Sequence, residues 1–149
     1  MLQRTILFTL LIALLVGCSV APKVGANPSV QALEITTEQE VTIQAAEIAA
    51  EYGDYDEAMR LFKEVLQENP VATDAFVGIG DIYLVKREWN LAEPVFARAA
   101  KLEPRNFDAQ YGHGVSLQMM RRFVEAIRAY HRALTIDPHD TGANLNIAT

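Results

Sequence analysis

The residues able to do chemistry are few and poorly arranged for it. Cys18 is the one cysteine of the 149 residues. One cysteine excludes a disulfide framework and any zinc site built from several thiolates. The histidines are His113, His131 and His139, and none shares a metal-binding spacing with a second ligand-type residue. His113 falls inside a helical pattern and reads as a packing residue; His131 and His139 read as solvated. There is no glycine-rich phosphate loop and no nucleophile elbow. Carboxylates crowd one stretch: Glu40, Glu47, Glu51, Asp54, Asp56, Glu57, Glu64 and Glu68, against Arg60 and Lys63. They are spread around two helices, so they read as a solvated face and not as a catalytic dyad. The expectation is a protein with no catalytic residue, no metal, no cofactor and no small-molecule substrate. The formal net charge of −6 argues against nucleic acid as the main partner. The hydrophobic content of 50% is too high for a disordered chain.

The amino-terminal segment reads as an address. Arg4 and the terminal amine form a positive region, and Ile6 to Val16 is apolar apart from Thr9. That run is shorter than the roughly 20 residues of a membrane span and fits a signal peptide over 1–17. It ends in Leu15-Val16-Gly17-Cys18, which resembles the bacterial lipobox. The resemblance implies acylation of Cys18, with a diacylglyceryl thioether and commonly a third chain such as palmitate on its amine. Two or more acyl chains give stable anchoring. Ser19 follows, and not Asp. In a bacterium with two membranes, that resembles the signal for the outer membrane, with the protein facing the periplasm. Residues 18–37 hold Pro22, Gly25, Asn27 and Pro28 and read as a flexible tether with a reach of roughly 25 Å.

The remainder repeats. Ala58, Ala92 and Ala126 are spaced by 34 residues, as are Phe62, Phe96 and Tyr130, and Pro70, Pro104 and Pro138. Gly80 and Gly114 share the spacing, with Ala46 in register, and Ala99 and Ala133 share it with Val65 in register. Small residues at this period suit close approach of two helices, aromatics fill the space between repeats, and prolines stop each second helix. The pattern resembles the tetratricopeptide repeat, a helix-turn-helix unit of 34 residues. The resemblance implies an all-α, right-handed solenoid over 38–140, with repeats 39–72, 73–106 and 107–140. Thr37 with Glu40, and Asp54 with Glu57, look like capping boxes, and Gly53 ends the first helix. Asn90 is the expected cap of the fourth helix, which would put Pro94 in its first turn. Thr42, Ala45 and Ala49 suggest loose packing of the first helix. His113 and Leu117 depart from the usual leucine and tyrosine. Residues 141–149 begin a fourth repeat, with Ile147 and Ala148 in register, or form a truncated cap. Nine residues are too few for a helix standing alone. A fragment of a longer array is the expectation.

In the tetratricopeptide family, the first helix of each repeat lines a concave groove that holds protein or peptide. Here the matching positions are Glu40, Ile43, Glu47, Asp74, Val77, Asp81, Leu84, Asp108, Tyr111, Val115 and Met119, beside Ala50, Glu51, Val85 and Gln118. Cochaperones of the family use Lys, Arg and Asn to hold acidic chaperone tails. This chain has Ile43, Glu47, Asp81 and Asp108 there, which favours a basic or amphipathic peptide. The reading is a non-enzymatic scaffold, anchored by lipid in the cell envelope, that holds partner proteins near a membrane. It resembles tight-adherence (Flp) pilus assembly lipoproteins and secretin-assembly pilotins. The alternative is the amino-terminal part of a longer enzyme, such as a glycosyltransferase or peptidase. Glycan binding is disfavoured, since Tyr111 is the one clear aromatic on the groove.

Overall fold

The structure, a computed structural model, describes residues 35–148. The expected signal peptide, Cys18 and nearly all of the expected tether lie outside the described residues. Seven helices follow in order: α1 Thr37–Glu51, α2 Tyr55–Glu68, α3 Thr73–Val85, α4 Trp89–Leu102, α5 Phe107–Met119, α6 Phe123–Leu134 and α7 Thr141–Ala148. There is no strand among the described residues. The helices pair as α1/α2, α3/α4 and α5/α6, and each pair packs against the next. The 34-residue period is therefore a period in space, and the architecture is a helical solenoid.

The core is a row of ring seats. Phe62, Phe96 and Tyr130 are almost completely buried. Each ring from a second helix lies over residues without bulk on the first helices. A Cβ added to Gly80 would come within 2.6 Å of the Phe96 ring, and one added to Gly114 within 2.6 Å of Tyr130. The following repeat supplies the other side. Gly112 has no room for a Cβ against Phe96, nor has Gly78 against Phe62. So Phe96 is held between Gly80 of its own repeat and Gly112 of the next. Ala46, fully buried, occupies the own-repeat position under Phe62. Burying a phenylalanine contributes about 1.5–3 kcal/mol. This repeated contact is the main tie between neighbouring units.

The turn between paired helices is also repeated. Gly53 has φ +81°, and its register partners Arg87 and Arg121 have φ 61° and 60°. In each turn the residue after it donates its N–H five residues back: Asp54 to Ala49 O at 2.8 Å, Glu88 to Tyr83 O at 2.8 Å, Arg122 to Leu117 O at 2.9 Å. This is a left-handed C-terminal cap. Glycine adopts it freely, whereas arginine is strained there by about 1–3 kcal/mol.

Several local expectations are corrected. The first capping box is Thr36 with Gln39, not Thr37 with Glu40: Gln39 N donates to Thr36 Oγ1 at 3.3 Å, and Thr36 N to Gln39 Oε1 at 3.3 Å. Gln39 is buried and also meets Glu68 and Asn69 at the end of α2, which fixes the register. Helix α1 therefore begins at Thr37, inside the expected tether. Asp54 does accept from Glu57 N at 3.2 Å, but the Glu57 carboxylate turns away to Arg60 at 2.7 Å. Helix α4 starts at Trp89, directly after the left-handed turn, so Asn90 is inside it and Pro94 is its sixth residue. Pro94 leaves one carbonyl unbonded on the exposed side of that helix, where water can satisfy it.

Helix α7 forms despite its eight residues, because it is not alone. Asp140 Oδ1 accepts from Ala143 N at 2.6 Å, and Ala143 and Ile147 pack against the cluster around Tyr130. On α1, Ala46 and Ile43 are buried and Ala49 joins the same cluster, while Ala45 faces outward.

Gly80→Ala tests the ring seats. In an open helix that change stabilises by about 1 kcal/mol; overpacking costs about 1–3 kcal/mol. The expected outcome is a lower thermal midpoint by circular dichroism, partly restored by Phe96→Leu in the same chain. A raised midpoint would show the seat to be slack.

Candidate functional site

The first helices α1, α3 and α5 wall a concave groove of about 640 Å³. Of the residues expected there, Glu47, Asp74, Val77, Asp81, Leu84, Asp108 and Tyr111 line it, together with Ala50, Glu51 and Val85. Five others fall elsewhere. Ile43 points into the core beside Phe62 and Ile79 and is buried. Glu40 is exposed about two turns before Glu47, outside the hollow. Val115 is half-buried in the cluster around Tyr130 and Leu117. Met119 and Gln118 lie beyond the hollow; Gln118 accepts the Tyr130 hydroxyl at 2.6 Å. The register partners Val77 and Tyr111 for Ile43, and Glu47 and Asp81 for Val115, do line the groove, so the difference lies in local packing of an apolar side chain and not in helix spacing.

The groove also contains residues that spacing did not single out. Tyr55 enters from α2, and Gly78 and Gly112 expose the edges of the ring seats as part of the floor. The glycine pair at 34-residue separation was the available signal. Tyr111 is held rigidly. Its ring stacks on Phe107 at 5.7 Å with an interplanar angle of 11°, and tilts against Tyr130 at 5.7 Å. Its hydroxyl accepts from Asn146 Nδ2 at 3.4 Å.

Among the described residues five carboxylates line this groove, Glu47, Glu51, Asp74, Asp81 and Asp108, and no Lys or Arg does. Asp81 is exposed to water at the groove mouth, with the groove wall on its protein side. The loss of water on that side, and then the charge of Asp108, push its carboxyl up to about 6. Asp74 is raised by burial, then by Glu103 and Asp108. The site therefore concentrates negative potential over an apolar floor of Val77, Leu84 and Tyr111, an arrangement that attracts cations and apolar side chains together.

His113 lies away from this groove, in contact with α4. Its side chain is 15% exposed, with Nε2 3.4 Å from Glu93 Oε1, an oxygen that Arg122 also approaches at 3.3 Å. Burial holds its pKa below the ordinary histidine value, with Glu93 opposing. His131 and His139 are exposed. Among the described residues no group of three or more His, Cys, Asp or Glu could hold a metal. Among them, too, no helix is long and apolar enough to cross a membrane.

A family model of the tetratricopeptide repeat matches residues 49–113. The solenoid has the fold of tetratricopeptide-repeat domains. Among solved structures, the first tetratricopeptide domain of Spaghetti (RPAP3), bound to the HSP90 peptide SRMEEVD, superposes with a TM-score of 0.73 at 18% identity. It covers 78% of this chain and 91% of that one. The Arabidopsis OM64 tetratricopeptide domain gives 0.70 at 18% identity, over 74% and 92%. At these identities the likeness is one of fold. Among curated proteins, the probable UDP-N-acetylglucosamine–peptide N-acetylglucosaminyltransferase SPINDLY of Petunia hybrida is 27% identical over 114 residues. That stretch is 76% of this chain and 12% of the relative. The Arabidopsis thaliana SPINDLY is 28% identical over 96 residues, 64% of this chain and 10% of the relative. The chain thus spans about a tenth of the length of these relatives.

The partial desolvation of Asp81 has a pH signature. A carboxyl whose folded pKa is raised contributes stability that is complete below its ordinary pKa of 3.8 and lost as pH rises through about 6. Asp81→Asn removes that loss. The thermal midpoints of the two proteins should coincide near pH 4. By pH 7 the variant should be ahead by about 2 °C or less, because water screens an exposed carboxylate. A difference that does not change with pH would refute the desolvation.

Proposed function

We propose that the array is a non-enzymatic scaffold whose concave groove holds a basic or amphipathic peptide segment of a partner protein. The observation that carries this is the lining: five carboxylates, no cation, and an apolar floor that includes Tyr111. A lysine- or arginine-bearing helix or strand would place its charges on Asp74, Asp81 and Asp108 and its apolar side chains on Val77 and Leu84. The Spaghetti domain has an acidic peptide, SRMEEVD, as its ligand. The same peptide here would bring its carboxylates against Asp81 and Asp108, which disfavours it.

The second part of the proposal concerns place. Leu15-Val16-Gly17-Cys18 supports acylation at Cys18 and attachment to a membrane of the cell envelope, in a two-membrane bacterium the outer membrane on its periplasmic side. Held there, the groove would gather partner segments for assembly of an envelope complex such as a pilus or secretion channel. The similarity to SPINDLY supports a second reading, in which these repeats are the amino-terminal part of a longer enzyme such as a glycosyltransferase. Covalent labelling of the cellular protein by a palmitate analogue would favour the first reading. A cellular product with transferase activity would favour the second.

Fluorescence anisotropy with two probes tests the groove. An amphipathic lysine-rich peptide should bind, more weakly as salt rises, and SRMEEVD should bind at least about tenfold less well. Asp81→Lys with Asp108→Lys should weaken the basic probe by about tenfold or more. Preference for SRMEEVD, or an unaltered affinity in the variant, would sink the groove proposal.

Cys18→Ser tests the anchor. The substituted protein should move from the detergent phase to the aqueous phase on cell fractionation, and persistence in the detergent phase would count against acylation.

A further inference from the structure

The turns that join the two helices of each repeat lie along one edge of the array. In the first turn the left-handed position holds Gly53, which takes it freely. In the second and third it holds Arg87 and Arg121, at φ 61° and 60°. Both arginines are exposed. Neither side chain has a hydrogen bond or ion pair among the described residues. An unsuited residue type that occurs twice at a strained position, with no partner in its own fold, points to a partner outside it.

The neighbouring charges are already matched. Lys86 reaches Asp56 at 3.4 Å, and Arg122 is engaged by Glu93 at 3.3 Å and Glu125 at 2.7 Å. Glu88, the other carboxylate of these turns, is half-buried. The charge that the second and third turns present to solvent is therefore positive, on a chain whose formal net charge is −6.

Apolar side chains stand beside the arginines. Met119 is 50% exposed, Met120 36% and Val124 66%. This exposure does not depend on where the array stops. The same positions one repeat earlier, Val85, Lys86 and Asn90, are exposed with the third repeat stacked on theirs. Arginine and methionine mixed on one edge fit a flat surface with negative charge at its face and hydrocarbon beneath. A peptide would need a cleft, and none of Arg87, Met120, Arg121 and Val124 lines the groove.

We propose that the edge formed by the second and third turns rests on an anionic phospholipid surface, with Arg87 and Arg121 on headgroup phosphates and Met119, Met120 and Val124 dipping below them. This rests on the reading that Cys18 is acylated. Each cation contributes roughly fivefold to surface affinity, enough to orient a tethered array and too little to recruit a free one. The contact uses none of the carboxylates of the groove.

Trp89, the one tryptophan of the chain, begins α4 two residues after Arg87 and reports on this edge. The test places the full chain, isolated from membranes, on vesicles of phosphatidylcholine and phosphatidylglycerol in equal parts, with a nitroxide on some of the headgroups. Flotation reads attachment and quenching of Trp89 reads contact of the edge, so failure of the anchor and failure of the edge give different results. Trp89 should be quenched on these vesicles, less so as salt rises, and little on phosphatidylcholine alone. Arg87→Gly with Arg121→Gly removes both cations and gives each turn the residue that suits it. That variant should still float, should melt at a higher temperature, and should lose edge contact by roughly 25-fold. Met120→Ser should reduce quenching and leave its salt dependence unchanged. Attached protein whose Trp89 is quenched equally on both kinds of vesicle, or equally in the double variant, overturns the proposal. So does attached protein with no quenching, which would leave the two arginines to an acidic protein. If the protein does not float, the acylation reading fails, and coupling the Cys18 thiol to a maleimide lipid on the same vesicles puts the same question to the edge.

Discussion

The fit of one aromatic ring between two positions without side-chain bulk determines the rest of this molecule. Phe96 shows it most fully, with Gly80 beneath it from its own repeat and Gly112 against it from the next. The ring can enter only because two helix backbones come close enough to touch it, and they can come close only because both positions are glycine. Helix spacing, the stacking of repeats and the curvature that opens a groove all follow from that approach. In the third repeat the ring is Tyr130, and its neighbours change with it. Gln118 accepts its hydroxyl, and Asn146 stands at the position that glycine holds at 78 and 112. The seat becomes partly polar, and α7 is held by Asn146 donating to the Tyr111 hydroxyl as well as by the packing of Ala143 and Ile147.

Residue spacing alone revealed the solenoid, because the period appears in every class of residue that packing constrains. Alanine, aromatic and proline positions are all spaced alike, and no tertiary rearrangement hides a pattern built from contacts between neighbours. Local choices between near-equivalent residues were less visible. Thr36 and Thr37 are both plausible caps, and the decision was made by Gln39, whose amide is tied to Glu68 and Asn69 about thirty residues away. Asn90 looked like a cap, but the turn before it already sets Trp89 in the helix. That turn announces itself at Gly53 and is silent at Arg87 and Arg121, where an unsuitable residue type adopts the same conformation. On the groove, the acidic positions could be read because charge is rarely buried. Ile43 and Val115 could not, since an apolar residue at a helix edge serves either face.

Electrostatics divides the surface along the array. Every carboxylate of the groove comes from α1, α3 or α5, while neither arginine of α6 lines it and Arg132 donates instead to Gln110. The groove therefore has no internal counter-charge. Asp81 registers this directly, since its proton is held by the same crowding that would reward an incoming cation.

Each helix packs chiefly on its immediate neighbours, and the longer contacts reach only to the next first helix, as α1 to α3 and α3 to α5. The chain never has to bring distant segments together to form its core. Loop-closure entropy is therefore small at every step, and folding is expected to start at any helix pair and spread outward, quickly for a protein of this size. Unfolding follows the same route in reverse. The terminal helices can come loose while the Phe96 seat persists, so the molecule softens from its ends inward.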